Sequence, residues 1–208
     1  MSIVEPGSAG DSLITRIRNI LTRPDATWDV IEAEVASTEG LYKGWVLPLA
    51  AIPPVCGAIA SLALGGIHLF GVRYEPSLVV VLAEQLSHYL LTLAEVFLLA
   101  VFVDLLAPSF GGVRGHIQAM KLTAYSGTAL WAAGLFKLLP AVGGLLWLFG
   151  WIYSGYLFHL GLSRLMKSDP ARTTGYFVAC LVVALILAVL IGSVTERITD
   201  MAGPLSVV

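Results

Sequence analysis

The stretch that decides the fold lies near the end of the chain, where residues 176–194 read YFVACLVVALILAVLIGSV without one charged side chain. A helix needs about 20 apolar residues to cross the hydrocarbon core of a bilayer, and similar runs precede this one. We place the predicted membrane spans at residues 45–70, 77–107, 122–139, 141–162 and 176–194. The sequence therefore predicts an all-α integral membrane bundle of five transmembrane helices, preceded by short amphipathic helices.

The composition of the whole chain agrees with lipid as its main solvent. Of the 208 residues, 57% are hydrophobic and 12% are charged, whereas about 25% of the residues in a soluble domain are charged. A 22.1 kDa chain has too much surface for its volume to hide that much apolar area from water. The net charge of −2 offers no footprint for nucleic acid. These numbers exclude an ordinary soluble enzyme and a nucleic-acid-binding protein.

Residues 1–43 differ in character, and we predict an N-terminal cytoplasmic amphipathic segment there, ahead of a five-span transmembrane domain at residues 44–208. One helical face carries Leu13, Ile14, Ile17, Ile20 and Leu21, at the spacing of an amphipathic helix. We predict that residues 12–22 form a helix that lies in the membrane interface, and packing against another part of the protein is the alternative. Pro24 should end it, and a second helix should follow with Trp28, Ile31 and Val35 on one stripe.

Two places in the apolar region do not read as simple spans. Pro48, Pro53 and Pro54 lie within the first predicted span, which they should kink or break near Pro53. Residues 122–163 carry Lys137 as their one charged side chain and are too long for a single crossing. We predict a tight helical hairpin that turns at residues 138–140.

Basic side chains are unevenly divided between the loops of this five-span arrangement. With the N-terminus inside, three lie on the outer side, namely Arg73, Lys137 and Arg197. The nine on the inner side are Arg16, Arg18, Arg23, Lys43, Arg114, Lys121, Arg164, Lys167 and Arg172. This positive-inside bias predicts a cytoplasmic N-terminus and a C-terminus outside. The predicted lipid-headgroup contacts are Arg16, Arg18, Arg114, Lys121, Arg164 and Lys167.

Ionisable side chains within the second predicted span form the candidate polar face. Glu84, His88 and Glu95 lie within about 40° of each other on a helical wheel. Such groups are costly in a bilayer and mark ion paths, proton relays or buried pairs, so they are either functional or polar packing residues. We expect Glu95 to face the bundle, with His159, Tyr125 or His88 as its partner.

Motifs of the known enzyme classes are absent from the sequence. There is no nucleophile elbow, zinc-protease helix, phosphate-binding lysine loop or Cys-x-x-Cys pair. We therefore predict that the protein is not an enzyme and that it has no catalytic residue, no cofactor and no bound metal.

Small residues recur at four-residue intervals on two predicted spans. They are Gly57, Ser61 and Gly65 on the first, and Cys180, Ala184, Ala188 and Gly192 on the fifth. Such stripes let helix backbones approach closely in lipid. Besides the lipid bilayer, the expected partners are therefore other proteins or a second copy of the chain, bound through these small-residue helix faces.

Turn and interface motifs follow one another in a recognisable order. They are Gly111-Gly112, Ala124-Tyr125-Ser126, Leu139-Pro140, Trp151-Ile152-Tyr153 and Gly161-Leu162, preceded by Leu21, Pro24, Trp28 and Ile31. In this order the chain resembles the Yip1 family of multi-span membrane proteins, in its bacterial branch, over nearly its whole length. It departs from the family at Thr128, near which a proline is common. The resemblance implies the fold and a bacterial inner membrane, and it implies no activity.

Two functions follow from these observations. The resemblance implies a non-enzymatic membrane protein that organises membrane partners or lipids, and this is the function we predict. The alternative is a small ion or solute transporter, or a channel, that uses Glu84, His88 and Glu95. A water-filled path that reaches Glu95 would favour the transporter, whereas a packed, dry bundle would favour the organising role.

Overall fold

The computed structural model of the chain describes residues 12–63, 67–69, 72–75, 77–139, 141–202 and 206–207. The helices are α1 Leu13–Thr22, α2 Pro24–Ala33, α3 Thr38–Leu41, α4 Leu47–Ala50, α5 Ile52–Ala63, α6 Leu78–Leu106, α7 His116–Ser126, α8 Thr128–Ala133, α9 Gly143–Met166 and α10 Thr173–Ala202. A π-helix covers Tyr42–Val46, and 3₁₀ turns cover Ala107–Phe110 and Gly134–Leu138. The predicted helical architecture is confirmed.

Three short strands add a small antiparallel sheet that the sequence did not predict. They are β1 Ile67–Leu69, β2 Val72–Glu75 and β3 Ser206–Val207, and β2 lies in the middle. Strands this short carry too few residues for an alternating pattern to be read. Because β3 pairs with β2, the end of the chain lies beside the connection between α5 and α6.

Within the described ranges, four helical segments are long and apolar enough to cross a membrane. They are Thr38–Ala63, Leu78–Phe110, Gly143–Met166 and Thr173–Ala202, and they correspond to the first, second, fourth and fifth predicted spans. The third predicted span, at residues 122–139, is interrupted. Gly127 separates α7 from α8, and the helix tightens to a 3₁₀ turn at Gly134.

The interrupted segment nevertheless runs from one end of the bundle to the other. Before its first residue, the Gly115 amide donates to Asp104 Oδ1 at 2.7 Å, near the end of α6. At its far end, Lys137 lies within electrostatic range of Glu84, near the start of α6, and both residues line the same cavity. Between these points the segment is mostly buried. It therefore forms the centre of the bundle, and the turn predicted at residues 138–140 falls partly on Pro140, outside the described residues.

Prolines shape the first membrane-crossing segment as the sequence predicted. Pro48 cannot donate a backbone hydrogen bond, and nearby the Leu47 amide donates to the Tyr42 carbonyl in the wider π register. The helix breaks at Ala51, so that Pro53 and Pro54 lie in the first turn of α5. A missing amide donor costs little there, because the first turn has no intrahelical acceptor for it.

The N-terminal helices α1 and α2 pack on the bundle and share its core. Ile20, Trp28 and Ile31 are fully buried in the same hydrophobic cluster as Trp45 and Leu122. This supports packing on protein, the alternative to an interfacial position for the first helix. The predicted boundary at residues 43–44 falls inside the crossing segment that begins at Thr38, so the core is continuous across it.

Candidate functional site

A cavity of about 630 Å³ lies between α6, α9 and α10, with α5 and the α7–α8 segment completing its wall. Small-molecule sites in proteins typically measure about 300–1,000 Å³. The cavity reaches the surface beside Glu196 and Asp200, which are both exposed. Towards its other end the Phe158 and Phe177 rings lie 6.3 Å apart between centroids. The lining is therefore long and reaches exposed residues at one end of the bundle.

One wall of the cavity carries the polar face predicted on α6. Glu84, His88 and Glu95 all line it, and they span about 16 Å of helix axis at about 1.5 Å per residue. Thr92 lies on the same wall, and its hydroxyl is 3.4 Å from His88 Nδ1. The structure thus brings the three predicted residues to one space. Whether they act there stays a prediction.

Glu95 faces the cavity without a protein partner. Its carboxyl group has neither a hydrogen bond nor an ion pair among the described residues. The predicted partners are wrong, because each is engaged elsewhere. The His159 ring packs edge-on against Phe177 at 5.2 Å, the Tyr125 hydroxyl accepts from Arg16 at 3.4 Å, and His88 pairs with Thr92.

Sequence reasoning missed three charged residues that line the same cavity. Lys137 was assigned to an outer loop, yet it lines the cavity and lies within electrostatic range of Glu84. Glu196 and Asp200 lie near the end of α10, past the predicted span. A charge at the edge of an apolar run is the signal that was available. The helix that each charged side chain contacts depends on how the helices pack, and the periodicity of one helix carries no information about that packing.

The opposite wall is aromatic and aliphatic. Trp147 and Trp151 of α9 form an edge-on pair at 6.3 Å, and Leu181 of α10 lines the same cavity. The small-residue stripe of α10 also lines this wall, through Cys180, Ala184, Ala188 and Gly192. Its short side chains leave the space open, and its role in self-association stays a prediction.

The six basic residues predicted to contact lipid headgroups have different environments. Arg18 and Arg114 are exposed, as that prediction requires. Lys167 is also exposed, and its Nζ lies 3.1 Å from Glu32 Oε1. For Lys121 the prediction is wrong, because this side chain is enclosed with 1% exposure. Its ammonium donates to carbonyls of the protein, so no lipid headgroup reaches it.

Ion pairs and hydrogen bonds join α1 and α2 to each other and to the bundle. Arg16 pairs with Glu34 and donates to the Tyr125 hydroxyl. Arg164 of α9 donates to Asp25 Oδ1 at 2.7 Å and to Asp29 Oδ1 at 3.0 Å. Two residues predicted as lipid contacts therefore hold the N-terminal helices in place.

Replacing Glu95 tests whether a hidden partner exists. We expect Glu95→Leu to raise the free energy of unfolding in detergent by about 1–3 kcal/mol, because it removes a polar group that the protein leaves unpaired. Glu95→Gln should stay within about 0.5 kcal/mol of the wild type, as a substitution without such features usually does. The measurement is thermal unfolding of both variants. Destabilisation by leucine would show that a buried partner was lost.

The chain is similar to a known family of membrane proteins. A family model described as "Yip1 domain" matches residues 18–191. The protein named "Inner membrane protein YohC" of Escherichia coli, in strain K12 and in strain O6:H1, is 25% identical over 185 residues, which are 86% of this chain and 93% of the relative. No solved structure matches.

Proposed function

The chain belongs to the Yip1 domain family, and from this premise we propose that it is a non-enzymatic integral membrane protein that binds a small solute in its intramembrane cavity and carries it across the membrane. The observation that carries the proposal is the cavity of about 630 Å³ that reaches Glu95. A path to Glu95 is the feature that separates a transporter from a packed, dry bundle.

The shape of the cavity supports this proposal. Its lining extends from Glu196 and Asp200, which are exposed near the end of α10, to Phe158 and Phe177. Alternating access requires a central site that opens to one side at a time, and a cavity that extends from Glu95 to the exposed end of α10 suits such a site. Intramembrane ionisable groups on its wall are typical of substrate and ion pathways.

The second candidate function is the organisation of membrane partners or lipids. It is favoured by the N-terminal helices, on which Ile14 is 77% exposed and Val30 is 55% exposed, while Arg18 is exposed close by. Apolar and basic side chains exposed together suit an anionic membrane surface. This organising role needs no cavity. A substitution that fills the cavity should therefore abolish transport and leave the organising role intact.

Uptake into liposomes tests the transport proposal. Purified protein is reconstituted, and radiolabelled potassium, methylammonium, succinate and glycerol are offered over a pH series. We expect uptake of a cationic probe, because carboxyl groups outnumber basic groups on the cavity wall. Ala188→Trp should abolish this uptake by filling the cavity, whereas Val189→Trp, on the neighbouring residue with 68% exposure, should preserve it.

Two results would contradict the proposal. One is the failure of every probe to enter liposomes that contain correctly folded wild-type protein. The other is equal uptake by the Ala188→Trp and Val189→Trp variants. Either result would leave the organising role as the function to pursue.

We further propose five spans, with the N-terminus cytoplasmic and the C-terminus outside, in a bacterial inner membrane. The relatives are named inner membrane proteins, which supports the location. The path of residues 116–138 between the two ends of the bundle supports a fifth crossing. Pairing of β3 with β2 supports a C-terminus on the far side of the first span.

Reporter fusions test this topology. Fusions after Lys167 and after Val208 should fall on opposite sides of the membrane, with the first cytoplasmic, because α10 lies between them. A fusion after Arg114 should match the one after Lys167, since two crossings separate them. Fusions after Arg114 and Lys167 on opposite sides would mean that residues 116–138 do not cross.

A further inference from the structure

We propose that the cavity binds a linear aliphatic polyamine. This inference rests on the proposed function and names its substrate class. The first observation is charge, since the described lining of the cavity carries the acidic residues Glu84, Glu95, Glu196 and Asp200 and one lysine, Lys137. Lys137 lies within electrostatic range of Glu84 and His88. The other three carboxyl groups have no basic partner among the described residues.

These three carboxyl groups lie at two depths. The Tyr176 hydroxyl donates to the Val103 carbonyl and sets the register of antiparallel α10 and α6, which places Glu196 close to the level of Glu84. Asp200 lies one turn nearer the exposed end of α10. Glu95 lies about 16 Å deeper than Glu84, at about 1.5 Å of rise per residue. A ligand that meets both levels must be long and must carry positive charge at separate points.

Between the two levels the wall suits methylene groups. Ala188 and Ile191 of α10 lie between these levels and line the cavity together with Trp147 and Trp151 of α9, and these side chains offer apolar surface to an aliphatic chain. The indole faces also attract ammonium groups through their quadrupole. A metal ion would gain nothing from this wall, and no group of three or more His, Cys, Asp or Glu in the described ranges is placed to hold one. An anion would be repelled by the excess of carboxyl groups.

A second polar group marks the cavity independently of the acids. Ser126 is 4% exposed, its hydroxyl has no hydrogen-bond partner among the described residues, and it lines the cavity. A buried hydroxyl without a partner costs free energy. A ligand amino group satisfies it, because an ammonium donates up to three hydrogen bonds and the serine oxygen accepts. The cavity thus combines separated acids, an apolar wall and an unpaired acceptor.

Calorimetric titration of the full-length protein in detergent tests the inference. Putrescine, spermidine and spermine are compared with butylamine, which carries one amino group on a similar chain. We expect spermidine to bind at least tenfold more tightly than butylamine, a difference of about 1.4 kcal/mol, because it meets both levels of the cavity. Butylamine binding as tightly as spermidine would overturn the proposal.

Matched variants separate the cavity from the general surface charge. Glu95→Gln and Glu196→Gln should each weaken spermidine binding about tenfold. Glu39→Gln should leave it unchanged, since Glu39 lies on α3 outside the cavity and pairs with Lys43 at 2.5 Å. Spermidine affinity unchanged in both cavity variants, or lowered equally by Glu39→Gln, would overturn the polyamine site.

The failure of this inference is distinguishable from the failure of the proposed function. If Ala188→Trp abolishes uptake of a probe while spermidine does not bind, the cavity carries another solute and only the polyamine assignment falls. If spermidine binds and depends on Glu95 and Glu196, the assignment is supported. If Ala188→Trp changes neither uptake nor binding, both proposals fall.

Discussion

Replacing Lys121 with methionine should lower the free energy of unfolding by about 2–4 kcal/mol, because two carbonyls lose their buried donor and each such loss costs about 1–3 kcal/mol. Lys121 has 1% exposure. Its Nζ donates to the carbonyls of Ile31 at 2.8 Å, Glu32 at 3.3 Å and Glu34 at 2.6 Å. These carbonyls lie at the end of α2, where helix carbonyls lack intrahelical partners and the helix dipole is negative.

The size of this effect follows from what methionine leaves behind. Its side chain fills a similar volume but donates no hydrogen bond, so the carbonyls of Ile31 and Glu34 would lose their buried donor. The Glu32 carbonyl keeps the Gln118 amide at 3.3 Å. Each unsatisfied buried group costs about 1–3 kcal/mol. No basic residue in the last turn of α2 replaces the lost ammonium. We therefore expect α2 to detach from the bundle before the membrane helices unfold.

Lys167→Met is the control for this prediction. Lys167 forms one ion pair with Glu32, and its side chain is 65% exposed, so the loss should be no more than about 1 kcal/mol. Titration with SDS of the detergent-solubilised protein measures both variants, and limited proteolysis reports the release of α1 and α2. Equal stability of the two variants would show that Lys121 does not hold α2 in place.

Replacing Gly161 with alanine should destabilise the protein by about 1–3 kcal/mol, the range for an overpacked core. A Cβ atom at Gly161 would lie 2.7 Å from Trp28 Cε2 and 2.8 Å from Leu122 Cδ1. Both neighbours are fully buried, so neither moves without displacing others. Trp28 also packs edge-on against Tyr125 at 6.3 Å. The strain should therefore spread from α9 into the contact with α2.

Gly192→Ala is the matched control on another membrane helix. A Cβ atom there meets no heavy atom within 4 Å, so the better helix propensity of alanine should stabilise by up to about 1 kcal/mol. Thermal unfolding in detergent measures both changes. If Gly161→Ala proved as stable as Gly192→Ala, Trp28 would not be seated against α9 as the structure has it.

The helices themselves could be predicted because lipid imposes a local rule. In hydrocarbon every backbone polar group must be satisfied within its own segment, so long apolar runs such as residues 176–194 must be helical whatever they pack against. The same rule made the helix breaks predictable, because Pro53 lacks the backbone amide that a continuous helix would need there. The lone Lys137 in a long apolar region indicated a turn, although not what the lysine contacts.

Of the candidate site, only the residues that lie on the single helix α6 could be predicted from the sequence. Glu84, His88 and Glu95 share a face of α6 because the helical repeat places them there. Lys137 and Glu196 come to the same cavity from other segments, and their approach depends on how α8, α10 and α6 pack. Ser126 looked like part of a turn motif. Its burial without a partner exists only in the folded bundle.

The sequence by itself determined the membrane class, the helical content and the polar face of α6, because each depends on composition or on the period of a single helix. Only the tertiary structure decided that Lys121 donates hydrogen bonds to the end of α2 instead of contacting lipid headgroups. It also decided that α1 and α2 share the core of the bundle. It alone opened a cavity in front of Glu95. These features arise where segments distant in the chain meet. The free energy of their burial and hydrogen bonding depends on which residues become neighbours, and the periodicity of a single helix does not specify those neighbours.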